Sequence, residues 1–330
     1  MSEQCASQFQ IDLYSTPFYF VITQVNLTVV LLSIIVAYLA VRELYSQSII
    51  NSTPRLFLTI DVVYAMIHQF SYFYIKIDLT YKILFKLDKP CELLISVYDC
   101  RFVSRGFIMG SSGLTLVQTA MTFDRLFATC YPKIHKKQKR AIGSIFTFFI
   151  ILASWFTWDL LTINDPLNDY IQNCGYFPPK SQNNFDTLLI VSFFIAVFNF
   201  IINIINLKIQ LLKAEKYHKQ FNMLKRYNAM ENTKNAQAIT LLSTGQIFGI
   251  GLWNGSTYIL RTYKKSLTPF QYALLLTSFY IPPYVCLFLP LLMIIILRRI
   301  REHRSKVIKS LRNQKETQDE YMDKMRKVWS

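Results

Sequence analysis

The residues able to do chemistry are few, and they lie at the ends or in the middle of apolar stretches. Asp124–Arg125 closes a run, Arg101 to Pro132 (RFVSRGFIMGSSGLTLVQTAMTFDRLFATCYP), that opens just after Cys100. On a helix, Cys100 and Arg125 would lie roughly 37 Å apart, about one bilayer with its interfaces. An acid–base pair at a helix end suits exchangeable ion pairing, and a snorkelling arginine explains it equally well. Ionisable groups inside such stretches are costly in lipid, so Asp61, His68 and Arg105 stand out. Asp61 could bind sodium, pair with a neighbouring helix or hydrogen-bond within a bundle. Arg105 either snorkels to the interface or points into a pocket to meet an anionic or carbonyl-bearing ligand. Gln246, Trp253 and Asn254 are candidates for the pocket or for a switch, although packing is the ordinary role of such an aromatic. His68, Tyr280 and Tyr284 could line the same cavity.

No catalytic constellation accompanies them. There is no Walker loop, no Gly-rich dinucleotide turn and no His-Glu-x-x-His, and His68, His135, His218 and His303 are scattered. Neither an enzyme, nor a cofactor, nor a bound metal is expected.

The elements that must position these residues follow from composition. The chain is 52% hydrophobic and only 17% charged, against roughly 25% charged in a soluble domain. The apolar residues come in blocks long enough to cross a bilayer, and seven candidate spans run at about 18–41, 56–75, 102–127, 141–161, 185–207, 236–260 and 270–297. Backbone groups in lipid must be satisfied within the segment, so the spans should be helices. The expected fold is an all-α membrane protein, a seven-transmembrane helix bundle occupying residues 1–297. With the amino terminus outside and the carboxyl terminus inside, the inner segments hold 26 of the 36 Lys and Arg, which satisfies the positive-inside rule. The same distribution speaks against nucleic acid as the partner of the +16 net charge. The first 17 residues lack the basic-then-apolar pattern of a cleaved signal peptide.

The third span carries Gly106, Gly110, Ser111, Ser112, Gly113, Thr115 and Thr119, small residues that allow close helix approach and suit a central helix. Pro282, Pro283 and Pro290 should kink the seventh. Beyond it, residues 298–330 begin as a basic amphipathic helix suited to the inner leaflet, with a tail after it. Cys5, Cys91, Cys100 and Cys174 fall outside and allow two disulfides in three connectivities, while Cys130 and Cys286 should stay reduced. The sequons at Asn26, Asn51 and Asn254 fall in spans or inside, and none should carry a glycan.

Asp124–Arg125 at the inner end of a third span, with Cys100 at its head, resembles the rhodopsin-like G-protein-coupled receptors. Leu126 replaces that class's usual tyrosine, and Leu289–Pro290 stands where it carries Asn-Pro. CASQFQ near the start, MTFDRLFATCYPKIHKK, and KRYNAMENTKNAQAITLLSTGQ leading into the sixth span resemble nematode chemosensory receptors of serpentine receptor class alpha. That resemblance covers nearly the whole chain. It implies a Cys100–Cys174 disulfide, with Cys5 and Cys91 the second possible pair. It also implies a plasma-membrane receptor of chemosensory neurons that binds a small-molecule or peptide chemical cue and couples to a heterotrimeric G protein. Asp124, Arg125, Tyr131 and Pro132, with the basic Lys136, Lys137 and Arg226, would form the coupling surface. The alternative is a multi-pass transporter or ligand-gated channel. Epitope tags at the two termini test the orientation: intact cells should stain for the amino-terminal tag and not for the carboxyl-terminal one.

Overall fold

Helices begin where the sequence supplies caps and break where it supplies prolines. The computed structural model describes residues 5–46, 52–163, 165, 169–176, 180–218 and 223–329. A short helix, α1 (Gln8–Tyr14), opens with the Gln10 side chain accepting the Ser7 backbone N–H at 2.8 Å. Long helices follow: α2 (Pro17–Ser46), α3 (Ser52–Phe85), α4 (Val97–Cys130), α5 (Pro132–Thr162), α6 (Gln182–His218) and α7 (Met223–Thr262). The last two are α8 (Pro269–Ser278) and α9 (Pro282–Trp329). Ser96 caps α4 and Thr268 caps α8 by accepting backbone N–H groups, each at 3.2 Å.

Among the described residues, five segments are long and apolar enough to cross a membrane: Pro17–Ser46, Thr53–Phe85, Lys137–Thr162, Gln182–Lys216 and Pro269–Glu302. The expected third and sixth spans are absent from this set. Their helices, α4 and α7, are 34 and 40 residues long, but their composition is too polar. For α4 the reason is its place in the bundle. It packs on α3, α5 and α6, so its small and hydroxyl-bearing side chains meet other helices.

The α3–α4 contact is close enough to require glycine. A Cβ added at Gly110 would lie 2.5 Å from the His68 Cβ and 2.6 Å from its backbone nitrogen. One added at Gly113 would lie 2.2 Å from the Tyr64 ring. Tyr64 in turn hydrogen-bonds Ser154 of α5 at 2.7 Å, so the three helices are fastened in one layer. On the other side of α3 lies α2, which also packs on α9. Gln24 of α2 donates to Thr80 of α3 at 3.0 Å, and Glu43 of α2 pairs with Arg301 of α9.

The seventh span is broken, not merely kinked. Residues 279–281 separate α8 from α9 because Pro282 and Pro283 have no N–H to continue the ladder and disfavour helix in the residue before them. Pro290, by contrast, is accommodated inside α9. The basic segment after Leu297 is the uninterrupted continuation of α9.

One end of the bundle is closed by covalent links. Cys100–Cys174 joins the start of α4 to the segment after α5, and Cys5–Cys91 joins the chain ahead of α1 to the α3–α4 connection. Beside them a two-residue antiparallel ladder pairs β1 (Ile95–Ser96) with β2 (Tyr170–Ile171). Leu13 and Tyr14 of α1 are buried with Leu79, Leu93 and Ala273, so the amino-terminal stretch is a roof over this end. Cys130 and Cys286 are unbonded. Asn26 and Asn254 are buried, and Asn51 lies outside the described residues.

Gly110→Ala should lower the thermal stability of the purified protein by roughly 1–3 kcal/mol or prevent folding, since backbone must move to admit the methyl. Gly255→Ala, where an added Cβ meets nothing within 4 Å, should melt as wild type. Equal melts for the two variants would contradict the close α3–α4 approach.

Candidate functional site

Two places concentrate the polar and aromatic side chains, one at each end of α4. Towards the disulfide end lies a cavity of about 310 Å³, lined by side chains that include Tyr72, Lys76, Phe107, Trp253, Arg261 and Tyr280. A narrower space of about 40 Å³ continues deeper, between His68, Ser111, Thr115, Gln246, Trp253 and Asn254. Trp253 and Phe185 belong to both walls and separate them. A further hollow of about 560 Å³ lies between α6 and α7. Its walls include Phe194 and Tyr258, both exposed on the outside of the bundle, so it is a lateral groove.

The floor of the main cavity is an aromatic cluster. His68 stacks on Phe107 with centroids 5.0 Å apart, and its Nε2 hydrogen-bonds the Tyr280 hydroxyl at 2.8 Å. Tyr280 meets Tyr72 at 4.9 Å and takes Trp253 edge-on at 5.7 Å. The break at 279–281 puts Tyr280 here, because a residue in a continuous helix would be held to that helix's own face. The roof is supplied by the segment after α5. Tyr176 is half-buried in it, and desolvation of its hydroxyl, reinforced by nearby Tyr272, pushes that group up to about 12, so it stays neutral. Ser104 ties the same segment to α4 by donating to the Cys174 carbonyl at 2.8 Å.

His68, Trp253, Asn254 and Tyr280 therefore come together, and two other expected pocket residues do not. Arg105 turns to α5, where it pairs with Asp159 and lies 5.0 Å over the Trp155 ring. An available carboxylate explains the direction. Tyr284 is 39% exposed on the outer face of α9 and does not line this cavity, whereas Tyr280 reaches inward from the break. Asn254 is buried and donates to the Leu189 carbonyl at 3.0 Å, which fastens α7 to α6 beneath the cavity. Asp61 is half-buried among Leu58, Val62 and Leu114 near Pro290.

At the opposite end Asp124, only 1% exposed, lies between the side chains of Arg125 and His135. Its carboxylate is 3.5 Å from the Arg125 guanidinium and 2.9 Å from Nε2 of His135 on α5. Tyr131 ends α4 and Pro132 starts α5 without a gap, and Lys137 is exposed nearby. Lys136 lies on α5 and Arg226 on α7, with their side chains outside the described ones.

Sequence reasoning passed over the polar bonds that link these ends. Asn199 donates to Thr119 at 2.8 Å, and Asn203 donates to Thr122 and to Ser243, each at 3.0 Å. Thr129 donates to Asn206 at 2.5 Å and accepts from Gln210 at 2.8 Å. Gln118 donates to the Ser243 carbonyl at 3.3 Å, and Gln246 to that of Leu114 at 3.1 Å. The signal was present: Asn199, Asn203, Asn206 and Gln210 recur at helical spacing on an otherwise apolar span, which marks one polar stripe.

A bundle of long apolar helices with an aromatic cavity at one end and a buried, exchangeable ion pair at the other is the architecture of a multi-pass membrane receptor. The chain belongs to the family described as serpentine type 7TM GPCR chemoreceptor Sra, whose pattern matches residues 1–329. It is similar to serpentine receptor class alpha-11 of Caenorhabditis elegans, 34% identical over 325 residues, covering 98% of this chain and 97% of the relative. It is also similar to serpentine receptor class alpha-13 of the same nematode, 33% identical over 329 residues and covering 100% and 98%, and to the Caenorhabditis briggsae alpha-13 protein, 35% identical over 326 residues and covering 99% and 97%. It is thus a G-protein-coupled chemoreceptor, and the transporter or channel alternative is not favoured.

Tyr280→Phe keeps the ring and loses the bond to His68, whose Nδ1 is already without a partner. The variant should be less stable by about 0.5–1.5 kcal/mol. Tyr280→Ala, which also removes the ring contacts, should cost roughly 3–5 kcal/mol. Thermal melts of receptor in nanodiscs read both, and a Tyr280→Phe melt equal to wild type would mean that the bond contributes nothing.

Proposed function

We propose that this chemoreceptor crosses the plasma membrane of chemosensory neurons seven times, amino terminus outside, and binds a small-molecule or peptide cue in the cavity above Trp253 and Tyr280. It relays occupancy to a heterotrimeric G protein at the Arg125 end. The observation that carries this reading is that a single buried helix, α4, supplies part of the cavity wall (Phe107) and the ion pair Asp124–Arg125. The two lie roughly 25 Å apart along its axis.

The mechanism is a population shift. In the resting arrangement Asp124 holds both Arg125 and His135, which keeps the guanidinium turned into the bundle. Ligand contact with the aromatic cluster bears on Trp253 of α7 and on the α8–α9 break. The Arg125 ends of α6 and α7 can then move if the bonds from Asn203 and Asn206 to α4 and α7 exchange partners. Once released, Arg125 would meet the G protein together with Tyr131, Pro132 and the basic Lys136, Lys137 and Arg226. Each of these bonds is individually modest, so a ligand's differential affinity can rebalance them.

Arg125→Ala tests the coupling. In cells exposed to a ligand panel, wild type should signal and the variant should lose roughly 5–150-fold in response, the usual span of a coupling term, while keeping its ligand affinity. An unchanged response in the variant, or a current that needs no G protein, would overturn the proposal.

A further inference from the structure

Two lysines are buried near the disulfide end, and they are treated differently. Lys82, 4% exposed, has the Asp78 carboxylate at 2.9 Å and the Gln172 carbonyl at 3.4 Å. Lys76, 5% exposed and less than two turns away on α3, has no carboxylate partner among the described residues. Its ammonium lies 5.1 Å over the Tyr72 ring, and its side chain forms part of the wall of the main cavity.

The other cations at that wall are already engaged or already solvated. Arg261 pairs with Asp186 and lies 5.6 Å over Phe185. Lys264 is exposed at the rim, 5.5 Å over Tyr272. No aspartate or glutamate lines this cavity among the described residues. An ammonium removed from bulk water is unfavourable unless it meets an opposite charge, and a single ring face compensates only in part. Besides Tyr72 beneath the ammonium, the cavity is lined by Phe107, Trp253, Tyr280 and Leu276, and by neutral polar side chains such as Asn173, Gln182 and Thr277.

We propose that the cavity takes a small organic monoanion, a carboxylate on an apolar or aromatic body, with Lys76 as its counter-ion and the body packed against Phe107, Trp253 and Tyr280. A single unengaged ammonium matches one negative charge, whereas a phosphate dianion is ordinarily held by several donors or arginine forks. The volume, about 310 Å³, is at the low end for ligand pockets and favours a compact molecule. Lys76 sits where the ligand's charged end would remain nearest the cavity mouth while its body reaches the Trp253 partition. The proposal rests on the reading of this cavity as the ligand site, and it specifies the ligand's charge.

The test is a binding measurement that does not depend on G protein. Purified receptor in nanodiscs of zwitterionic lipid is melted with a matched panel: straight-chain and phenyl-terminated carboxylic acids of about six to ten carbons, a size set by the cavity, with the corresponding primary alcohols, amides and amines. At least one acid should raise the melting temperature, and its alcohol, amide and amine should bind about tenfold or more weakly. Lys76→Met should weaken that acid by about tenfold or more and Lys76→Arg should retain most of its affinity, while both leave a weakly bound alcohol unchanged. Lys76→Gln replaces Lys76→Met should the latter not give a cooperative melt. The proposal fails if no acid binds, if a neutral or amine member binds as tightly as its acid, or if the neutral variants bind the acid as wild type does. Nucleotide exchange on the same preparation separates the two readings. Acid binding without exchange would overturn the coupling mechanism and leave the Lys76 assignment intact. Exchange driven by amides or amines alone would do the reverse.

Discussion

The bundle depends on one contact: the backbone of α4 at Gly110 lies directly against His68 of α3, with no room for a methyl group. That approach fixes the height and rotation of His68, and His68 fixes Tyr280 through a 2.8 Å hydrogen bond. Tyr280 then supports Trp253, the residue that divides the two parts of the cavity. A few residues further along α4, Gly113 admits the Tyr64 ring, whose hydroxyl reaches Ser154 of α5. Two glycines on one helix thus determine which side chains meet across four helices.

The rest of α4 works by hydrogen bonding. In a bilayer, apolar helices gain little by touching one another in place of lipid, so close packing and polar bonds decide which faces meet. The amides of Asn199, Asn203, Asn206 and Gln210 on α6 reach hydroxyl groups of α4, and Asn203 reaches Ser243 of α7 as well. These bonds give the bundle its specificity. Because each has ready alternatives among neighbouring hydroxyl and carbonyl groups, they also leave it able to change.

Much of this was legible in the sequence, for reasons that also explain the gaps. Block length and charge placement revealed most spans, because lipid imposes them directly. Small residues marked α4 as the central helix, and the hydroxyl groups among them leave it less apolar than the helices it packs on. His68, Trp253 and Tyr280 were legible as costly or kink-adjacent residues. Arg105 was not placed correctly, because its direction depends on Asp159 some fifty residues away and no local period encodes that. Lys76 falls just beyond the second span expected from the sequence, which ends at about 75, whereas α3 runs on to Phe85. The extension persists where Asp78 and Lys82 pair along the helix. The roof formed by α1 was missed since seven residues carry too little pattern, and its burial is set by the Cys5–Cys91 link and the Leu79 and Leu93 side chains beneath it.

The two disulfides have a mechanical consequence. They join sequence positions 86 and 74 residues apart, and they fasten the head of α4, the α3–α4 connection, the α5–α6 connection and the amino-terminal stretch into one crosslinked collar. A collar of that kind cannot dilate much when a guest enters. The strain a guest introduces must therefore travel down the helices to the end that has no covalent ties, where noncovalent bonds can give way. On the proposed reading the helices act as levers on a fixed rim, so a small tilt beneath the collar becomes a larger excursion at the far ends.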